Sequence, residues 1–207
     1  MKRRKVGILL FDYVDVLDFS GPAEVLALAA NNNAEQMLTL YKKELMPTRP
    51  FEVFTVSKMG EEIITHSKIK VKPDYSFETC PETDILIIPG GPLRAVQSIA
   101  KNERIIDWIS SRKRNDYICS VCTGAIILSE TGLLNGRKAT THHLALTLLQ
   151  NKYPEIQVIP NKKVVHDGNI ITSGGVSSGI HMALYLIEQI MGKSAAERTR
   201  KVIEFHP

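Results

Sequence analysis

A chain of 207 residues, with 43% hydrophobic, 23% charged and 6% aromatic side chains, is long enough to bury one ordinary core and leaves little for a second. Its 26 basic and 22 acidic side chains give a net charge of +4, too mild and too scattered for a nucleic-acid surface. No apolar run approaches the roughly 18 residues of a membrane span, and three cysteines, an odd number in a chain with no export signal, argue against a disulfide framework.

The N-terminus, MKRRKVGILLF, is basic, then briefly apolar, and then meets Asp12, Asp15 and Asp18 with no small-residue cleavage site. It reads as a solvated lead-in to a strand, not a signal peptide, and a cytoplasmic location is the default. Residues 5–11 (KVGILLF), 51–56 (FEVFTV), 84–90 (DILIIPG) and 117–121 (YICSV) are short, nearly continuous apolar runs of strand character. Such strands are buried on both faces of a parallel sheet. Helical patterns separate them: residues 21–32, 94–114 and 123–134. For the first helix, Ser20 reads as the cap, Pro22 as an early helical position and Glu24 as a first-turn acid. Residues 31–50 form a long connection with a helical turn around 35–43. Residues 61–73 suggest a small hairpin, and residues 164–175 a clearer one turning at Asp167-Gly168. Two helices follow, an apolar one over 176–191 and a last one near 195–205. Strand and helix in alternation predict an α/β three-layer sandwich around a mainly parallel sheet, with residues 1–207 forming one domain.

Two of the cysteines, Cys119 and Cys122, have the two-residue gap of a metal half-site or redox pair. A zinc site needs two more ligands, and only Cys80 with His142 or His143 is on offer, with no second Cys-x-x-Cys. Cys119 lies inside a strand and reads as core. Cys122 follows that strand and precedes TGAIIL, where small Gly124 and Ala125 allow a tight strand-turn-helix. That is the layout of a nucleophile elbow, with a helix N-terminus expected to lower the thiol pKa. The plain alternative is that Cys122 only fills a tight turn.

Two other strand ends supply chemistry. Gly90 and Gly91, after the strand DILIIPG, offer backbone N–H groups for an oxyanion hole with the Thr123 N–H as a second donor; a Gly-Gly turn alone is common. No Gly-x-Gly-x-x-Gly or phosphate-loop pattern exists. After the first strand, Asp12 and Asp15 read as solvated loop residues. Asp18, between Leu17 and Phe19, and Glu24 are carboxylates in partly apolar surroundings, suited to acid-base work or simply to the surface.

Four stretches, LLFDYVDVLDFSGPAEVL, ILIIPGG, SVCTGAIILSETGLLNGRKATTHH and DGNIITSGGVSSGIHMALYLIE, together resemble the ThiJ/PfpI superfamily, in family order over most of the chain. The resemblance implies a class I glutamine amidotransferase-like, flavodoxin-like sandwich. Within the superfamily, SVCTGA and LDFSGPAEVL are most similar to isonitrile hydratases and to the ligand-binding domains of AraC-type regulators. Many relatives, PfpI-type proteases among them, carry a His directly after the nucleophile; Thr123 stands there in this chain, which argues against a protease. By resemblance Cys122 is the nucleophile, Asp18 the general acid/base and Thr123 the neighbour that positions the reacting group. Glu24 is a secondary carboxylate, and His142 is structural or pocket-lining. Two departures affect the substrate pocket: Gly179-Ile180-His181 where relatives commonly read Gly-Ile-Asp, and an ending at IEFHP without their longer tail. No helix-turn-helix segment follows, so a complete AraC-type regulator is not expected.

The implied activity is hydration of an isonitrile, a small molecule, to an N-substituted formamide, with no metal or organic cofactor, by a homodimer. Its rivals are a ligand or redox sensor of the same fold, and a glyoxalase- or amidase-like cysteine hydrolase.

Overall fold

The computed structural model describes residues 2–38, 41–44 and 48–206. Its centre is a seven-stranded sheet. In chain order the strands are β1 (Arg4–Leu9), β2 (Phe51–Ser57), β5 (Tyr75–Ser76), β6 (Ile85–Ile88), β7 (Tyr117–Ser120), β10 (Val164–Asp167) and β11 (Ile170–Ser173). Their spatial order is β10-β11-β7-β6-β1-β2-β5, parallel throughout except for β10 against β11. The continuous apolar runs are buried as double-sided packing requires: all four residues of β6 are inaccessible, as are Ile8 and Leu9 of β1. Outside this sheet lie the hairpin β3 (Ile63–Ile64) and β4 (Lys70–Val71) and the parallel pair β8 (Lys138–Ala139) and β9 (Gln157–Val158).

Helices cover both faces. From β1 the chain crosses through α1 (Val16–Leu28) to β2, moving one way along the sheet. From β6 it crosses through α3 (Leu93–Ala100) and α4 (Glu103–Ser111) to β7, and from β7 through α5 (Gly124–Glu130) toward β11, moving the other way. Right-handed crossovers then place α1 on one face and α3, α4 and α5 on the other. The last two helices, α7 (Ser178–Met191) and α8 (Lys193–Val202), pack with α1. The expected α/β sandwich with a mainly parallel sheet is what forms. Among the described residues no helix is long and apolar enough to cross a membrane.

Several expected boundaries move. The first helix begins at Val16, so Ser20 is not its cap, and Pro22 lies in its interior. Pro22 has no N–H to give, and its ring packs where α7 brings Gly179 close: a Cβ there would stand 3.1 Å from Pro22 Cγ. The single helical pattern over 94–114 is two helices, broken where the Asn102 carbonyl accepts from the Ile105 and Ile106 amides. The turn expected around 35–43 is present as α2 (Asn33–Leu38), while residues 39–40 lie outside those described. The elements β5, β8, β9 and α6 (Leu146–Lys152) carried no distinctive pattern.

The α5 face meets the sheet through a glycine. A Cβ on Gly124 would overlap the Ile88 carbonyl and lie 2.8 Å from the Pro89 carbonyl. Neither backbone oxygen can yield without disturbing β6, so Gly124→Ala should destabilise the fold by about 2–3 kcal/mol. Urea unfolding checks this, and an unchanged midpoint would mean the turn can open.

Candidate active site

Strand order reverses beside β1, which continues to β2 on one side and has β6 on the other. Open parallel sheets bind ligands outside the C-terminal ends of the strands at such a point. Here the turns after β1, β6, β7 and β11 bring together Asp15, Asp18, Gly90, Gly91, Cys122, Thr123 and Val176.

Cys122 has φ +55, in the left-handed region that a β-carbon disfavours. Backbone strain of this kind costs on the order of 1–3 kcal/mol and persists only where neighbours over-determine it. They do so here. The Cys122 N–H donates to Gly174 O at 2.9 Å, its carbonyl accepts from Thr141 Oγ1 at 2.8 Å, and Gly124 N–H reaches back to Val121 O at 2.9 Å. The result is a thiol 3% exposed at the base of the strand ends. The amides of Val176 and Thr123 both donate toward its sulfur.

Asp18, in the first turn of α1, is fully buried. Gly90 N–H donates to its Oδ2 at 3.0 Å, and Oδ1 is buried without a conventional partner. The Cys122 thiol is placed to donate to this carboxylate. Gly91 N–H donates to Thr123 Oγ1 at 3.0 Å, and the same hydroxyl donates to Gly91 O at 2.8 Å. Both glycine amides therefore have partners inside the protein. The oxyanion role expected of Gly90 and Gly91 gives way to a positional one: they hold Asp18 and Thr123. A Cβ at Gly90 would lie 2.5 Å from Thr123 Oγ1 and 2.9 Å from Asp18 Oδ2. Thr123, its hydroxyl committed, faces the sulfur with its N–H.

Protonation follows from burial. Desolvation raises Asp18 to about 7, opposed by the Gly90 N–H and assisted by the nearby Asp15. Burial, with the Asp18 charge next, pushes the Cys122 thiol up to about 12 against the pull of the Val176 and Thr123 amides. The Thr123 amide at the start of α5 does pull this pKa down, as expected of a helix N-terminus, but burial beside a carboxylate outweighs it. The thiol keeps its proton near neutrality until Asp18 accepts it.

Other predicted residues separate. Glu24 is exposed and borders a surface groove with Leu17, Ile180 and Phe205. It lies six residues beyond Asp18, about 240° around the helix, so once α1 starts at Val16 the two acids cannot share a face. His142 folds over Gly175, where a Cβ would stand 2.6 Å from its Cδ2, and its Nδ1 accepts from Leu144 N–H at 3.3 Å. Burial lowers its pKa. His181 is turned away, to Lys163 Nζ at 2.9 Å and the Phe205 ring. Cys119 is fully buried and its thiol pKa is raised by burial. Cys80 is half-buried, its thiol donating to Pro81 O at 3.3 Å.

Two contributors were missed. Val176 follows a Gly-Gly pair at the end of β11, a signal as legible as that at Gly90-Gly91. Asp15 was read as solvated, yet its carboxylate, the Asp18 carboxylate and the Cys122 sulfur lie within 4.8 Å of one another. These three are the one cluster of metal-capable side chains among the described residues, and an ion there would have to displace the protons of Asp18 and Cys122.

The model of the DJ-1/PfpI family matches residues 4–189, and the chain belongs to that family. It is 34% identical over 205 residues to an isonitrile hydratase of Pseudomonas putida, covering 98% of this chain and 79% of that one. It is 29% identical over 191 residues to the HTH-type transcriptional regulator CdhR of Pseudomonas aeruginosa, covering 91% of this chain and 51% of the regulator. The crystal structure of a ThiJ/PfpI family protein from Pseudomonas syringae superposes with a TM-score of 0.83 at 25% identity, covering 100% of this chain and 77% of that one. The fold is the flavodoxin-like one of the family.

Asp18 binds its proton more tightly in the folded chain (about 7) than an ordinary aspartate at 3.8. The stability linked to that proton is complete below the lower value and is lost as pH rises through the higher one. Asp18→Asn keeps an acceptor for Gly90 and removes the loss, so it should be more stable than wild type by about 2–4 kcal/mol near pH 8, with little difference near pH 4. Urea titrations at the two pH values decide it; equal differences at both would show that Asp18 ionises normally.

Proposed function

We propose that this member of the DJ-1/PfpI family is a cysteine-dependent enzyme that hydrates an isonitrile to an N-substituted formamide. The observation that carries the reading is a buried thiol beside a buried carboxylate that titrates near neutrality. An isonitrile needs a nucleophile and a proton at the same carbon, and this pair holds both. The 34% identity to an isonitrile hydratase supports it.

Cys122 Sγ attacks the terminal carbon as Asp18 takes the thiol proton and passes it to that carbon. A thioimidate, S–CH=N–R, remains on the enzyme. Asp18, again a carboxylate, takes a proton from water as the water oxygen bonds to the same carbon, and delivers that proton to nitrogen. The C–S bond then breaks, the hydroxyl proton returns through Asp18 to sulfur, and R–NH–CHO leaves. The sum is one isonitrile and one water in, one formamide out. The Val176 and Thr123 amides steady the charge on sulfur as it departs, and no step calls on a cofactor.

We read the protein as a single-domain cytoplasmic homodimer acting on a small molecule. Leu17, Leu144 and Val176 are apolar and exposed, and so available to a partner copy. A ligand-sensing role is the second reading, favoured by the 29% identity to a transcriptional regulator. A redox-sensing or hydrolytic role has less support, since a thiol held protonated is a slow target for peroxide.

Turnover of a simple alkyl isonitrile, followed by NMR as the formamide forms, tests the proposal. Cys122→Ala should abolish it, and Asp18→Asn should lower it by at least about 100-fold. A folded wild type that binds the isonitrile without turnover would favour the sensor. Full turnover by Asp18→Asn would remove Asp18 from the chemistry.

A further inference from the structure

Asp15 stands at the N-cap of α1, where an aspartate ordinarily accepts from the first-turn amides, yet its side chain makes no such bond. It is turned to the Cys122–Asp18 pair, within 4.8 Å, and its Oδ1 meets His66 Nδ1 at 3.0 Å. His66 belongs to the β3–β4 hairpin, which lies outside the main sheet. Three hydrogen bonds tie that hairpin to the loop after β1: Tyr13 N–H to Ile64 O at 2.7 Å, Ile64 N–H to Asp12 Oδ1 at 2.9 Å, and His66 N–H to Val14 O at 3.0 Å. The His66 backbone is thereby fixed while its side chain remains 59% exposed. The ring borders an open cavity of about 660 Å³ that Asp12, Tyr13 and Arg94 also line.

We propose that Asp15 and His66 are positioning residues that govern how the shared proton is held on Cys122 and Asp18: the Asp15 carboxylate retains it, and the His66 ring, bonded to Asp15 Oδ1, holds that carboxylate toward the pair. The inference rests on the Cys122–Asp18 pair and is independent of which substrate that pair attacks. A fixed negative charge this close disfavours a second one on either partner, and Asp15 does push both groups upward. Asp15 is faced by Asp18 from α1, Cys122 from the elbow, His66 from the hairpin and His142, with His143 behind it, from the segment after β8. His66 is faced by Asp15 and, across the cavity, by Asp12 and Arg94. Lys68 of the same hairpin is placed over the Tyr13 ring. A His66 variant separates its contribution from that of His142, which stays in place.

The readout is the rate of Cys122 alkylation by iodoacetamide between about pH 5 and 9, followed at that residue by peptide mass spectrometry. Asp15→Asn should alkylate about tenfold faster than wild type at a fixed pH, because the thiol gives up its proton more readily. His66→Ala frees the Asp15 carboxylate to turn away and should alkylate about threefold faster than wild type, whereas His66→Gln, whose side-chain amide can still donate to Asp15, should stay close to wild type. In the Asp15→Asn background His66→Ala should change nothing. A merely structural role would change the rate as much in His66→Gln as in His66→Ala, and that outcome overturns the proposal. So does an Asp15→Asn variant no faster than wild type, or a His66 effect that survives without Asp15. Should Asp15→Asn fail to fold, the comparison of His66→Ala with His66→Gln decides alone. Failure of isonitrile turnover would leave these alkylation rates unaffected.

Discussion

A cysteine held at φ +55 is the constraint around which this molecule is organised. A β-carbon in that region is resisted by its own backbone, so the conformation exists only because both sides of the turn are pinned. The pins come from distant parts of the chain: the Gly174 carbonyl after β11, the Thr141 hydroxyl after β8, and Gly124 pressed against the Ile88 and Pro89 carbonyls after β6. A parallel sheet makes this possible because consecutive strands all end on one edge. The turns after β6, β7 and β11 meet there although they are far apart in sequence, and the antiparallel β10 closes the sheet beyond them.

The electrostatics follow from the same packing. Placing the elbow under three turns removes Cys122 and Asp18 from water, and desolvation is the largest influence on both. Three backbone amides (Gly90 toward Asp18, Val176 and Thr123 toward the sulfur) oppose it without reversing it. The pair therefore rests one proton short of full protonation only above neutrality, and its chemistry depends on moving that proton between sulfur and carboxylate. This differs from a standing thiolate activated by a helix dipole: here a thiolate forms when the proton has somewhere to go.

The parts of this arrangement legible in the sequence are those set by local pattern. Buried parallel strands appear as unbroken apolar runs, so β1, β2, β6 and β7 were visible, and with them the elbow. Two-residue strands such as β5, β8 and β9 have no periodicity to show. The start of α1 was misplaced because Ser20-Gly-Pro22 imitates a helix beginning, while the true start at Val16 has an aspartate at its cap that does no capping. That error had a chemical consequence, for it kept Glu24 as a secondary candidate beside Asp18 when only Asp18 faces the sulfur. The glycine amides were assigned to an oxyanion because a sequence shows that an amide is unobstructed but not whether it already has an acceptor. Asp15 looked solvated because its partner, His66, lies 51 residues away on a hairpin whose docking no local pattern reveals.

The chain is similar to an isonitrile hydratase and to a transcriptional regulator alike, so the fold cannot by itself choose between turnover and sensing. Proton handling narrows the choice. Oxidation by peroxide or capture of a ligand asks only for an available sulfur, and burial with a raised thiol pKa works against availability. Addition across an isonitrile asks for something else: sulfur and proton delivered to one carbon, followed by a water that must lose a proton in the same place. A carboxylate titrating near 7, fully buried and adjacent to the thiol, can accept and return that proton at each stage. A fully buried acid raised to about 7 burdens stability above neutrality and adds nothing to simple binding, which favours the catalytic role proposed for the pair.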